Sequence, residues 1–191
     1  MGFAAVQNEW ADVDAAPGVT PPDDSRPDIT RTFSLTLDRD LRDNYFDPED
    51  GLLHRVIGSV SGGILGGDND FWKIQAEAQW YRKLRGVTFA TRVRVGYERA
   101  FGNSESVPDR SRFKLGGPHS VRGYDYQDIG PGDFVLLGNS EMRCPLFWIL
   151  KGGLFLDAGN AWESFGDVRW KDFSTTSAGA DPERAGETDV R

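Results

Sequence analysis

Arg122 is the sole arginine in KLGGPHSVRGYDYQDIGPGD, residues 114–133, where it stands among five glycines and two prolines. A guanidinium is permanently charged and presents a planar fork of donors, so its chemistry is recognition of carboxylates or phosphates in fixed geometry. The other reactive residue types do not assemble into a catalytic set. Cys144 is the single cysteine and has no histidine near it in sequence, so it reads as an inert thiol. His54 and His119 lie far apart with no carboxylate or cysteine at ligand spacing, and no metal is expected. Ser120 and Ser140 stand outside any nucleophile-elbow pattern. GGILGG at 62–67 lacks the spacing of a phosphate-binding loop and reads as a hairpin turn. The acids Asp38, Asp40, Asp43, Asp47, Glu49 and Asp50 miss the order of a calcium loop and read as a solvated turn. With no nucleophile, base and oxyanion set, the expectation is a protein that is not an enzyme and needs no cofactor.

The elements that must position Arg122 read as strands. In TRTFSLTLDRD, Phe33, Leu35 and Leu37 share one face against Thr32, Ser34, Thr36 and Asp38, because strand side chains alternate. FWKIQAEAQWYRK sets Trp72, Ile74, Ala76, Ala78 and Trp80 against Lys73, Gln75, Glu77 and Gln79. GVTFATRVRVGYERAF sets Val87, Phe89, Val93, Val95 and Tyr97 against Thr88, Arg92 and Arg94. Further strands are expected over about 53–65, 134–145 and 148–161, separated by RDNYFDPEDG, GGDND and KLRG, which are rich in turn residues. Helical periodicity is absent. The expected fold is all-β, an antiparallel meander of about six strands over residues 29–175.

The flanks differ in composition. Residues 12–28 hold four prolines and five aspartates, so 1–28 reads as a linker or disordered loop, and 176–191 as a polar, disordered tail. The first residues lack a basic region and reach Glu9 quickly, unlike a signal peptide, and Val6 breaks the myristoylation pattern. No apolar run approaches the roughly 20 residues of a membrane helix. The chain is then soluble, or meets a membrane as strands, or lacks its true N-terminus. A net charge of −8 with pI near 4.8 argues against nucleic acid as a partner.

Two architectures make such strands. A soluble sandwich or small barrel turns its apolar faces inward, whereas a transmembrane barrel turns them to lipid and keeps a polar lumen. Trp72 and Trp80 bracket an apolar stripe as interfacial aromatics do, and the polar faces carry Glu77, Arg92 and Arg94, which a wet lumen accepts. Alternation alone leaves both open.

VRGY, residues 121–124, is preceded by FKLGG and followed by IGP, GNSEMRCPLF and GLFLDAGNAW, with DRDLRDNYFDPEDG earlier in the chain. This ordered series resembles the signatures of the Omp85 superfamily, outer-membrane proteins whose C-terminal region is also called the bacterial surface antigen domain. The resemblance covers about residues 29–175. It implies part of a transmembrane β-barrel with a long loop folded into the lumen, its tip made by Val121, Arg122, Gly123 and Tyr124. Arg122 matches the motif arginine, and Glu141 and Asp157 match the acidic positions of the inner wall.

Strand parity is consistent with that carry-over. Asn139, Glu141 and Arg143 alternate with Leu136 and Met142, and Asp157 lies opposite in parity to Leu150, Leu154 and Leu156, so both carboxylates belong to polar faces. Gly116, Gly117 and Gly123 would permit turns and close wall approach that a side chain forbids.

The resemblance further implies a function without chemistry: assembly, insertion or translocation of other proteins by strand templating. The expected location is an outer membrane, bacterial or organellar. Implied partners are membrane lipid, client outer-membrane or secreted β-proteins, and accessory assembly subunits or missing barrel strands. The chain lacks recognisable periplasmic repeats, has too few strands for the family barrel, and turns polar at DPERAGETDVR where more strands are expected, as a truncation or shifted frame would produce. The competing reading is a soluble β-sandwich or small barrel that binds a ligand or partner.

Overall fold

The computed structural model describes residues 2–9, 29–147 and 150–182. Its main sheet takes β1 (Gly2–Glu9), β2 (Ile29–Asp40), β3 (Gly51–Ser61), β4 (Phe71–Leu84) and β5 (Val87–Ala100) as successive antiparallel neighbours. A small hairpin of β6 (Phe113–Leu115) and β7 (Ile129–Gly132) follows, built within the segment 101–133. The sheet then resumes with β8 (Phe134–Phe147), β9 (Leu150–Trp162) and β10 (Ser174–Pro182), β8 pairing directly with β5. The expected meander is therefore present, interrupted once by a loop that leaves the sheet without breaking its strand order.

Two strands lie where alternation is weak. Residues 1–28 were expected as linker, and within them Gly2–Glu9 pairs with Ile29–Thr36; residues 10–28 are outside the described residues. The polar tail expected from residue 176 overlaps β10, which pairs with β9 through a register shift between Thr176 and Gly179. Neither GFAAVQNE nor STTSAGADP has a strong apolar face. Each is an edge strand held along one side by pairing with a stronger neighbour, which is information from elsewhere in the chain.

The faces of the sheet decide between the two architectures left open by alternation. Phe33, Ile74, Phe89, Leu154 and Leu156 are 44–54% exposed, whereas Glu77, Glu98 and Asp157 on the opposite face are buried. A sheet that exposes its apolar side and covers its charged side is inverted relative to a soluble sandwich, and suits lipid outside and a polar lumen inside. The core sits on the polar side. Phe113, Leu115, Val121 and Ile129 from the loop pack on Val135 and Leu137 of β8, with Tyr124 and Ala161 beside them. The soluble-sandwich reading, in which the alternating apolar faces form the core, is not what the fold contains.

Close approach of the loop needs a gap in the wall. A Cβ on Gly96 of β5 would lie 2.4 Å from the Phe113 ring, so glycine there makes the space into which Phe113 of the loop fits. The segments after β3, β5 and β9 lie at one end of the strands, and the turns 41–50 and 85–86 at the other. The longest of these connections, 101–133, is the one whose residues pack back on the sheet.

Candidate functional site

The loop tip is built by backbone bonds before any charge is considered. The Gly117 amide donates to the Tyr124 carbonyl at 2.9 Å and the Ser120 amide to the Gly117 carbonyl at 3.1 Å, while Ser120 Oγ accepts from the Gly116 amide at 2.6 Å. Gly116, Gly117 and Gly123 have φ of 114°, 90° and 93°. At Gly116 a Cβ would also lie 2.1 Å from the Asp125 carbonyl oxygen, so neither the angle nor the space admits a side chain. This tight tip leaves Val121 fully buried in the core and turns its neighbour Arg122 toward the wall.

Asp157 of β9 receives most of the arginine's donors. Arg122 Nε donates to Asp157 Oδ2 at 2.8 Å, Nη2 to Oδ1 at 2.9 Å, and the Arg122 backbone amide to Oδ2 at 3.0 Å. Nη1 reaches Glu141 Oε2 of β8 at 3.1 Å. Glu141 pairs across the strands with Phe155, and Asn139 with Asp157, so the two carboxylates are diagonal neighbours on the same face. That spacing lets one planar guanidinium fork onto Asp157 with two nitrogens and still touch Glu141 with the third.

Three neighbours complete the site without having been anticipated as members of it. The Phe155 ring lies 3.6 Å from the guanidinium carbon of Arg122, a cation–π contact on one face of the ion. Asn139 Nδ2 donates to Asp157 Oδ1 at 2.7 Å, and Arg143 Nε donates to Glu141 Oε1 at 2.7 Å. Their parity with Glu141 and Asp157 was the available signal, since all lie on the inward-facing positions of β8 and β9. What alternation did not supply was which inward residue reaches the tip.

Asp157 is 0% exposed, and Arg122 is its cationic partner. An anion in that position is tolerable only while its bonds are made, because an uncompensated buried charge costs several kcal/mol, on the order of 3–5. The arrangement binds and orients the loop against the wall. Beside it, a cavity of about 260 Å³ lies between the loop and the inner wall, lined by Gln79, Tyr81, Arg92, His119, Asn139 and Arg143 among others.

An exposed apolar face, a covered charged face and a loop tied to the inner wall together describe a membrane barrel with an internal loop. The Omp85 superfamily domain matches residues 3–183, nearly the whole chain. The chain belongs to the Omp85 superfamily. It is 30% identical over 164 residues to the outer membrane protein assembly factor BamA of Nitratidesulfovibrio vulgaris, a match covering 79% of this chain and 21% of that protein. A SAM50-like protein of Schizosaccharomyces pombe is 32% identical over 111 residues, covering 55% of this chain and 23% of that protein. The crystal structure of BamA from Haemophilus ducreyi lacking POTRA domains 1–3 superposes with a TM-score of 0.70 at 16% identity, covering 84% of this chain and 40% of that one. This Omp85 chain therefore spans about a fifth of the length of the curated relatives it matches. Family membership makes it an outer-membrane β-barrel protein.

Proposed function

We propose that this Omp85 chain is part of a barrel that assembles or inserts other β-proteins in an outer membrane, acting by strand templating and not by bond chemistry. The working unit is the sheet over residues 29–175 with the strands paired to it. Its clients are unfolded outer-membrane or secreted β-proteins, and its surroundings are membrane lipid, accessory assembly subunits and further barrel strands. The observation that carries this reading is the inverted sheet: charged wall inward, apolar wall outward, with a loop clamped inside by Arg122.

The physical basis is the cost of unpaired backbone in a bilayer. Peptide groups on a strand edge facing hydrocarbon lack water to bond to, so an incoming client strand that supplies partners is held there by main-chain hydrogen bonds. Strand addition needs a wall that stays in shape while its edge changes partner. The tip Val121, Arg122, Gly123 and Tyr124, held by Glu141 and Asp157, serves that role by tying the loop to β8 and β9.

The test is reconstitution of the chain in phosphatidylcholine liposomes followed by addition of a urea-unfolded outer-membrane β-barrel. Faster acquisition of a protease-resistant, heat-modifiable client than in empty liposomes is expected. Equal rates with and without the chain would overturn the proposal.

A further inference from the structure

Arg92 of β5 and Asn139 of β8 are directly paired across the sheet, and both side chains face the loop. Arg92 Nε and Nη2 donate to Asn139 Oδ1 at 2.9 and 2.7 Å, and the same Nη2 donates to the His119 carbonyl at 2.7 Å. Asn139 Nδ2 donates to the Ser120 carbonyl at 2.7 Å and to Asp157 Oδ1 at 2.7 Å. A carboxamide offers one oxygen with two lone pairs and one nitrogen with two hydrogens, so Asn139 has every bonding position filled. Only this orientation of the amide works. Reversed, its NH2 would face a guanidinium and its oxygen would face a carbonyl and a carboxylate.

We propose that Arg92 and Asn139 form a second clamp on the lumen loop, one that grips the backbone carbonyls of His119 and Ser120 and works independently of the Arg122 side chain. The two clamps differ in kind. Arg122 projects from the loop to the wall and depends on one side chain of the motif, whereas Arg92 and Asn139 project from the wall to the loop and read main-chain atoms. They meet at one atom, Asp157 Oδ1, which accepts from both Arg122 Nη2 and Asn139 Nδ2. Asn139 and Arg92 are thus positioning residues: they set the loop so that Arg122 arrives in front of Asp157. The inference rests on the reading of this loop as a functional lumen element, and it has a consequence for experiments on the motif. Loss of the Arg122 side chain removes one clamp and leaves the tip in the lumen.

Hydrogen exchange of the full chain in detergent micelles tests this, with the amides of Gly116, Gly117 and Ser120 as reporters because their partners lie within the loop. Arg122→Ala alone should speed their exchange but leave it protected, because the wall still grips the loop carbonyls, and Arg122→Ala with Asn139→Leu should speed it a further tenfold or more, as expected when both handles on a local opening are gone. Asn139→Leu alone keeps the size but loses the acceptor for Arg92 and both donors; it should speed exchange several-fold, whereas a purely packing role would leave it near the parent. If the leucine variant does not fold, Arg92→Gln, which removes the His119 contact from the other partner, replaces it. Full release of the loop by Arg122→Ala alone, or no release by the double variant, would overturn the second clamp. Either result is read on the loop itself and not on client assembly, so it is distinguishable from failure of the proposed function.

Discussion

Arg122 and Asp157 are joined three times, by Nε, by Nη2 and by the backbone amide of Arg122, across 35 positions of sequence. The backbone bond matters as much as the side-chain fork, since it requires the chain at residue 122 to lie against β9 and not merely within reach of a long side chain. Asp157 is thereby a receptor for the loop's conformation as well as its charge. A lysine at 122 could supply one charge but not two parallel donors in a plane.

Removal of the guanidinium should leave Asp157 buried without its cation. Arg122→Ala is expected to destabilise the barrel by about 3–5 kcal/mol. Adding Asp157→Asn should recover part of that loss, because the stranded charge goes with it. Urea unfolding in micelles, read as a double-mutant cycle, checks both statements; equal and additive losses would show that the two residues are not energetically coupled.

The outward face should reject charge. Leu156 is 54% exposed on the apolar side of β9, between Phe155 and Asp157, which point the other way. Leu156→Lys is expected to cost about 2–4 kcal/mol in a bilayer if the residue lies near the midplane, and the same change on a water-facing surface would cost almost nothing. Folding titrations in liposomes measure it.

Gly96 makes the space for Phe113, and a Cβ there would also come within 2.9 Å of Val135 Cγ1. Gly96→Val is expected to cost about 1–3 kcal/mol by overpacking the loop core, with Phe113 displaced from its place under Lys73. Denaturant midpoints and the near-ultraviolet circular dichroism of the aromatic residues would register the change.

The turn between β2 and β3 should depend on pH through Asp43. Its Oδ1 accepts from the amides of Asn44, Glu49 and Asp50 at 2.9, 3.0 and 3.2 Å. The backbone bonds from Asp50 and Glu49 stabilise the ionised form and hold its pKa below the ordinary 3.8. A carboxylate whose folded pKa is lowered contributes order above the ordinary value and loses it as pH falls through the lower folded one. Amide resonances of residues 44, 49 and 50 should therefore be stationary near neutrality and move together below pH about 4, with the movement abolished in Asp43→Ala.

Much of this protein was legible from residue order alone. Alternation in β2, β4 and β5 gave their faces correctly because a strand's period of two is a local property, and the ordered motifs around VRGY placed Arg122, Glu141 and Asp157 in one family pattern. The tight tip was likewise readable, since glycine at Gly116 answers to a local backbone angle. Which side of the sheet meets lipid was not local information: the same alternation serves a sandwich and a barrel, and only the burial of Glu77, Glu98 and Asp157 against the exposure of Ile74 and Leu156 separates them. β1 and β10 escaped notice because their pairing energy comes from neighbours and not from their own side chains. The roles of Asn139 and Arg92 were hidden for a related reason, as a hydrogen bond to a backbone carbonyl leaves no trace in the identity of the residue that accepts it. Residue order determined the alternating central strands; tertiary structure decided which face is inside and what holds the loop there, because both depend on atoms brought together from distant parts of the chain.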